Sequence, residues 1–309
     1  MKQLLIRFVF LVFYILLRVI PVRAQPWLAR TLGNIAHGSS TARGDLMREN
    51  LRIAFRGTYT DAELDDIARR SYHNLFMSAF EFIRFPLYRD EDIVRMVDIE
   101  GEEHVREALA RGRGVIIISA HFGSWEMLAA RIQTLGFPMT VVGRDQNDSL
   151  INDFIVRLRT SKGTKNIPRG APMFQHITQL LKSNELVGLV SDQNAGKRGV
   201  FTDFFGIPAS TFKGPALFSM LNGSPMIPVF IVRQGYQKHR GYLGPIVETP
   251  PPTGDAGHDI AACCQAFTAV IEDYVRRHPD HWYWVHKRWK TRPPGEKDSI
   301  VTKANSMFR

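Results

Sequence analysis

The sequence predicts an α/β fold: one domain with a twisted, mostly parallel mixed sheet flanked by helices, preceded by a helical layer and an N-terminal apolar membrane-anchor helix. Three observations carry this. The runs Val115 to Ile118, Met139 to Val142, Leu186 to Val190 and Met226 to Val232 are almost wholly apolar and rich in β-branched residues, as strands buried on both faces are. Between the first three of them lie Trp125 to Leu135, Asp148 to Ser161 and Ala171 to Lys182, which have helix-like spacing, and such alternation argues for parallel strands joined by helical crossovers. Ahead of them, apolar residues from Gly44 to Arg84 recur at helical intervals.

A chain of 309 residues can bury one large core or two small ones. With 44% hydrophobic and 23% charged residues, disordered and collagen-like classes drop out. The net charge of +10 favours phosphate-bearing partners: nucleic acid, anionic lipid or a phosphorylated substrate. Cys263 and Cys264 are adjacent and form no disulfide framework; they fit a reducing compartment, and without further cysteines no Cys-based zinc site is expected.

Residues 1–22 read as the anchor. Leu4 to Ile20 are almost wholly apolar, and the run from Phe8 to Leu17 is somewhat short of the roughly 20 residues that cross a bilayer squarely. Crossing, lying in one leaflet and cleavage as a signal peptide near Val22-Arg23-Ala24 are all open on length alone. Arg18, Arg23, Arg30, Arg43, Arg48 and Arg52 follow at once and resist translocation, which favours an uncleaved anchor with the remainder on the cytoplasmic side. Residues 23–98 form the helical layer, where Thr60-Asp61-Ala62-Glu63 is a capping box, and His73 and Glu81 read as structural. Residues 99–309 form the α/β core.

Within that core, His121 stands where the first strand ends and a helix is about to begin. Ligands of open α/β sheets bind at that edge, and the helix N-terminus adds unpaired N–H groups. The His-x4-Glu spacing lets Glu126 reach the imidazole across the turn, fix its tautomer and leave the other nitrogen free as a base. The same pattern also describes a helix start beside a hydrogen-bonded histidine, so spacing alone leaves both readings open. Arg144 and Asp192 also follow strands, which lets all three face one crevice. Ser124 as a nucleophile is the rival account, but Gly-x-Ser-x-Gly is not met and Ser124 suits a helix cap.

Gly196 to Pro208 reads as a glycine-punctuated loop whose aromatics either fill the core or wall an apolar ligand; it has neither Walker nor dinucleotide spacing. Tyr242 to Val247 reads as a strand and Asp259 to Arg277 as a helix. The closing His281 to Lys290 stretch interleaves aromatics with bases, suited to nucleic acid or to a membrane surface. The anchor at the other end of the chain makes the membrane the more economical reading.

These features together resemble the bacterial lipid A biosynthesis acyltransferases of the wider glycerolipid acyltransferase superfamily. The resemblance covers nearly the whole chain: the anchor, the Arg48 to Phe55 segment, His121 to Glu126, Arg144, Asp192-Gln193, Gly199 to Gly206, Thr211, Gly214, Pro228 and His281 to Pro293. It implies transfer of a fatty acyl chain from acyl carrier protein to a hydroxyl of a phosphorylated glycolipid, at the cytoplasmic face of the inner membrane. In it His121 is the general base and Glu126 its partner, while Arg144 binds acceptor phosphate or steadies developing charge. Asp192, Gln193, Gly199, Thr211, Lys213 and Gly214 form the substrate side. The family often has Asn, Thr or Ser before the histidine, where this chain has Ala120. Mannoside lipid acyltransferases share much of the pattern.

Thioester chemistry of this kind needs a base and oxyanion stabilisation, so no cofactor, metal or covalent enzyme intermediate is expected. The expected partners are an acyl carrier protein thioester, a phosphorylated glycolipid and an anionic membrane surface, not nucleic acid. A basic membrane scaffold without activity is the non-enzymatic alternative, but it leaves the residues at the strand ends without a purpose.

Overall fold

The computed structural model describes residues 14–15, 18–39, 41–143, 149–168 and 172–296. Most of the expected anchor therefore lies outside the described residues. Among those described, no helix is long and apolar enough to cross a membrane.

Helices α1 (Gln25–Gly38), α2 (Ala42–Ala54) and α3 (Asp61–Ile83) build the first layer. Their starts are written locally. The Thr41 hydroxyl accepts from Gly44 N–H at 3.2 Å, and Thr60 with Glu63 closes the expected capping box, a device that contributes about 1 kcal/mol. Phe85–Leu87 form a single turn through Pro86, and α4 (Asp90–Met96) completes the layer. The layer ends slightly earlier than expected, because β1 (Val97–Glu100) already belongs to the sheet.

Then come α5 (Glu102–Ala110), β2 (Val115–Ser119), α6 (Trp125–Thr134), β3 (Met139–Gly143), α7 (Ser149–Thr160), β4 (Lys165–Pro168), α8 (Met173–Lys182) and β5 (Leu186–Val190). The hairpin β6 (Val200–Asp203) and β7 (Pro208–Thr211) leads to α9 (Gly214–Asn222), β8 (Met226–Gly235), β9 (Lys238–Leu243) and α10 (Ala256–Arg277). Seven strands form one sheet in the order β1-β9-β8-β2-β5-β3-β4. Only β8 and β9 pair antiparallel within it, so the mostly parallel mixed sheet is as expected.

Successive strand residues point to opposite faces, which splits the apolar runs between two layers. Ile116, Ile118, Val187, Met226 and Phe230 pack towards α2, α3, α8, α9 and α10. Val115, Ile117, Leu186, Ile227 and Val229 pack towards α5 and α6. Burial on both sides is why these runs show no polar alternation.

Four expectations need correction. Gly196 to Pro208 is not a loop: most of it is the β6–β7 hairpin, with Phe204 and Phe205 buried in the core. The strand placed at Tyr242 to Val247 is β9, which begins at Lys238 and ends at Leu243. Strand β4 was not foreseen. The closing aromatic and basic stretch is not a membrane face either, because Trp282, Trp284, Arg288 and Trp289 are buried. Arg288 is held inside by its terminal nitrogens, which donate to the Ser210 carbonyl at 2.5 Å and to the Thr211 hydroxyl at 2.7 Å. The structural reading of Glu81 holds: fully buried, it accepts from Arg233 Nη2 at 2.9 Å and lies 3.0 Å from His239 Nε2.

Candidate active site

Strands β2 and β5 are parallel neighbours with Ser119 opposite Val190. Two residues beyond that pair stand His121 and Asp192, which the register therefore brings to the same height at the carboxyl edge of the sheet. Asp192 Oδ1 lies 2.8 Å from His121 Nδ1, and Oδ2 accepts from the His121 backbone N–H at 3.0 Å. Trp282 Nε1–H donates to the same Oδ2 at 2.8 Å. Burial pushes the Asp192 carboxyl up, but the positive charge of His121 and the hydrogen bonds from His121 and Trp282 outweigh it and hold the group at about 2. An ionised carboxylate only accepts, so Nδ1 carries the imidazole proton and Nε2 is the basic nitrogen.

The strand-to-helix turn depends on Gly123. Its φ is +56°, and a Cβ there would lie 2.3 Å from the Ile231 carbonyl oxygen, so only glycine fits. Its N–H donates to the His281 carbonyl at 2.8 Å, and Tyr283 N–H donates to the His121 carbonyl at 3.0 Å. The C-terminal stretch thus buttresses the histidine from behind. Ser124 occupies the position before α6, but its hydroxyl makes no capping hydrogen bond, contrary to expectation.

Glu126 is not the partner of His121. It is clamped by Arg159 of α7, with Nε 3.0 Å from both carboxylate oxygens and Nη2 2.6 Å from Oε1. Asn166 of β4 accepts from Arg159 Nη1 at 3.3 Å. The reason is directional: the His121 amide and ring both turn towards β5, where Asp192 takes them, and a bidentate guanidinium holds Glu126 elsewhere. His121, Glu126 and Arg159 nevertheless line one cleft.

That cleft has a volume of about 680 Å³. It begins at His121 and runs between α6 and the sheet. Leu128, Ala129 and Ile132 form its helical wall, and Ile117, Met139, Val141, Gly188 and Val229 its sheet wall. Polar groups gather near its mouth, including Gln193, Asn194 and His286. Burial pushes the His286 imidazole down to about 4. Its unprotonated Nε2 accepts the Asn194 backbone N–H at 3.0 Å.

The remaining residues of the expected site divide. Gln193 lines the cleft, whereas Gly199, Thr211, Lys213 and Gly214 do not. A Cβ at Gly199 would stand 2.3 Å from Ser210 Oγ, so this glycine serves hairpin packing. Thr211 is fully buried, with its hydroxyl 2.7 Å from that of Thr202 and accepting from Arg288. Lys213 and Gly214 open α9. Arg144 lies outside the described residues. Asp192 was placed on the substrate side and is instead the carboxylate holding the histidine. Arg159, Trp282 and His286 were not anticipated. Only the position of Asp192 just past a strand parallel to that of His121 could have signalled its role.

Comparison with known proteins gives the family of the chain. A family model described as bacterial lipid A biosynthesis acyltransferase matches residues 1–291. The chain is 28% identical over 285 residues to the lipid A biosynthesis palmitoleoyltransferase of Escherichia coli (strain K12), covering 91% of this chain and 90% of that protein. To the lipid A biosynthesis lauroyltransferase of the same organism it is 25% identical, covering 85% and 84%. To the phosphatidylinositol mannoside acyltransferase of Mycobacterium tuberculosis (strain ATCC 25618 / H37Rv) it is 28% identical, covering 68% and 66%.

Proposed function

Because the chain belongs to the bacterial lipid A biosynthesis acyltransferase family, we propose that it moves a fatty acyl group from an acyl carrier protein thioester to a hydroxyl of a lipid A precursor, with His121 as base and Asp192 as its orienting carboxylate. The observation that carries the reading is the His121–Asp192 pair, with His121 lining a cleft whose deeper walls are aliphatic side chains of α6 and the sheet. Nε2 removes the proton of the acceptor hydroxyl as the oxygen attacks the thioester carbonyl. The tetrahedral oxyanion then collapses, the carbon–sulfur bond breaks, and the leaving thiolate takes the proton back from the imidazolium. Asp192 stabilises that imidazolium throughout, and the cleft receives the acyl chain.

Arg144 retains its proposed role towards acceptor phosphate or the oxyanion. The net charge of +10 and the apolar N-terminal segment support work at an anionic membrane surface, the cytoplasmic side of the inner membrane in this reading. A mannoside lipid is the second acceptor to consider, because two thirds of the chain aligns with the mycobacterial mannoside enzyme. The test is to incubate purified protein with acyl carrier protein thioesters and both acceptor types, and to read products by mass. Acylated lipid A precursor that His121→Ala does not form supports the proposal. Acylation of the mannoside alone would transfer the reading to that acceptor, and no acyl transfer to either would overturn it.

A further inference from the structure

Gly188 stands in the middle of β5, on the sheet wall of the cleft, directly between Ile117 of β2 and Val141 of β3. All three line the cleft, and Gly188 alone contributes no side chain to it. A Cβ at Gly188 would lie 3.1 Å from Val141 Cγ1 and 3.8 Å from Met139 Sδ, so it would project among the lining groups. The φ of Gly188 is not in the left-handed region, so the backbone does not demand glycine there. What the missing side chain supplies is width.

We propose that Gly188 is the residue that lets the distal half of an acyl chain pass, and so sets which chain lengths the cleft accepts. The inference rests on reading the cleft as the acyl site. By register Gly188 is level with Ile117, four residues before His121, which places it roughly 13 Å below the histidine along the strand. With C–C bonds near 1.5 Å, an extended chain advances roughly 1.25 Å per carbon, so about ten carbons span that depth. Beyond Gly188 the cleft continues to Met139, which is level with Leu186 and a further two residues down. Met139 and Ile132, both buried, also line the cleft. Chains of about ten carbons or fewer stop above Gly188, and longer ones must pass it. Two of the relatives are named for different acyl groups, palmitoleoyl and lauroyl, so chain length is a property that differs between members.

The test is a competition assay in which equal amounts of ten-, twelve-, fourteen- and sixteen-carbon acyl carrier protein thioesters are offered with a lipid A precursor. In Gly188→Ala the close approach to Val141 requires a shift of only tenths of an ångström, and the added methyl narrows the passage. The ratio of ten-carbon to sixteen-carbon product should rise at least about tenfold over the unaltered protein, the scale by which one methylene is discriminated in an apolar pocket. Val141→Ala in the same chain should bring the ratio back, which a general loss of stability would not do. Should Gly188→Ala not fold, Val141→Leu narrows the same passage from the neighbouring strand and should shift the ratio the same way. Folded variants with an unchanged ratio, or equal loss at every chain length, overturn the inference. Absence of any transfer by the unaltered protein would instead overturn the reading of the cleft on which it rests.

Discussion

Replacing Asp192 by Asn tests the site most directly, because it preserves shape and removes one charge. If the Asn amide nitrogen faces His121 Nδ1, that nitrogen must become an acceptor, the proton moves to Nε2, and no base faces the cleft. If the amide is flipped, its nitrogen confronts the Trp282 and His121 N–H groups, leaving donors against donors in a buried site. The electrostatic loss can be sized from the 2.8 Å separation of Nδ1 and Oδ1, at which a unit pair interacts by about 6 kcal/mol at an effective dielectric of about 20. His121 is 26% exposed, so solvent reduces this figure. A loss of roughly 10² to 10⁴ in turnover is the expected range, the same as that of general-base assistance, with KM little changed. The measurement is single-turnover thiol release with product mass, on protein whose circular dichroism matches the unaltered chain. Glu126→Gln is the comparison: it loosens Arg159 but leaves the His121–Asp192 pair, so it should cost less. Turnover of Asp192→Asn within tenfold of normal, with Glu126→Gln the more damaging change, would refute the assignment.

Trp282→Phe removes one donor to Asp192 while keeping an aromatic ring beside Phe204 and Trp284. It should reduce kcat more than KM and lower stability to denaturant by about 1.5 to 3 kcal/mol, the contribution of a hydrogen bond to a charged group; an unchanged kcat would sink the idea. Acid should weaken the fold in two stages. His286 titrates near 4 when folded, so its contribution is complete above its ordinary 6.5 and is lost as pH falls from 6.5 towards 4, amounting to up to about 3 kcal/mol. Asp192, held down at about 2, contributes above its ordinary 3.8 and loses that contribution between 3.8 and 2. Denaturant midpoints across this range check both stages, and His286→Asn should flatten the upper one. A chain lacking residues 1–20 should bind anionic vesicles at low salt and wash off at high salt; release of the full chain by salt alone would rule out the anchor.

Strands β2, β3 and β5 were legible because each lies inside the sheet with neighbours on both sides and so is written as an almost wholly apolar run. The first four residues of strand β9 were not, because Lys238 and Arg240 are exposed while His239 and Gly241 are buried. His239 is tolerated there by Glu81, 158 residues away. The β6–β7 hairpin was equally hidden, since the buried Thr202, Ser210 and Thr211 look like loop residues until Arg288 arrives from the other end of the chain. The aromatic tail was misread for a related reason. Trp and Arg at a membrane surface and Trp and Arg in a core have the same composition, and only their partners tell the two apart: the Asp192 carboxylate for Trp282, backbone carbonyls and the Thr211 hydroxyl for Arg288.

The same limit explains the site. His121 could be found because a strand end, a tight turn and a helix start are local events, each written within a few residues. Its partner could not, because the choice between Glu126 and Asp192 depends on the direction of one imidazole, and that direction follows from strand pairing. With Ser119 opposite Val190, any residue two places past β5 meets His121. Glu126, five places along its own chain, is carried onto the first turn of α6 and into reach of Arg159. Spacing along the chain limits how far a side chain can reach, whereas the register of parallel strands decides which groups share an edge. In a parallel sheet, a histidine past one strand is therefore better matched first to acids that follow neighbouring strands than to an acid in its own turn.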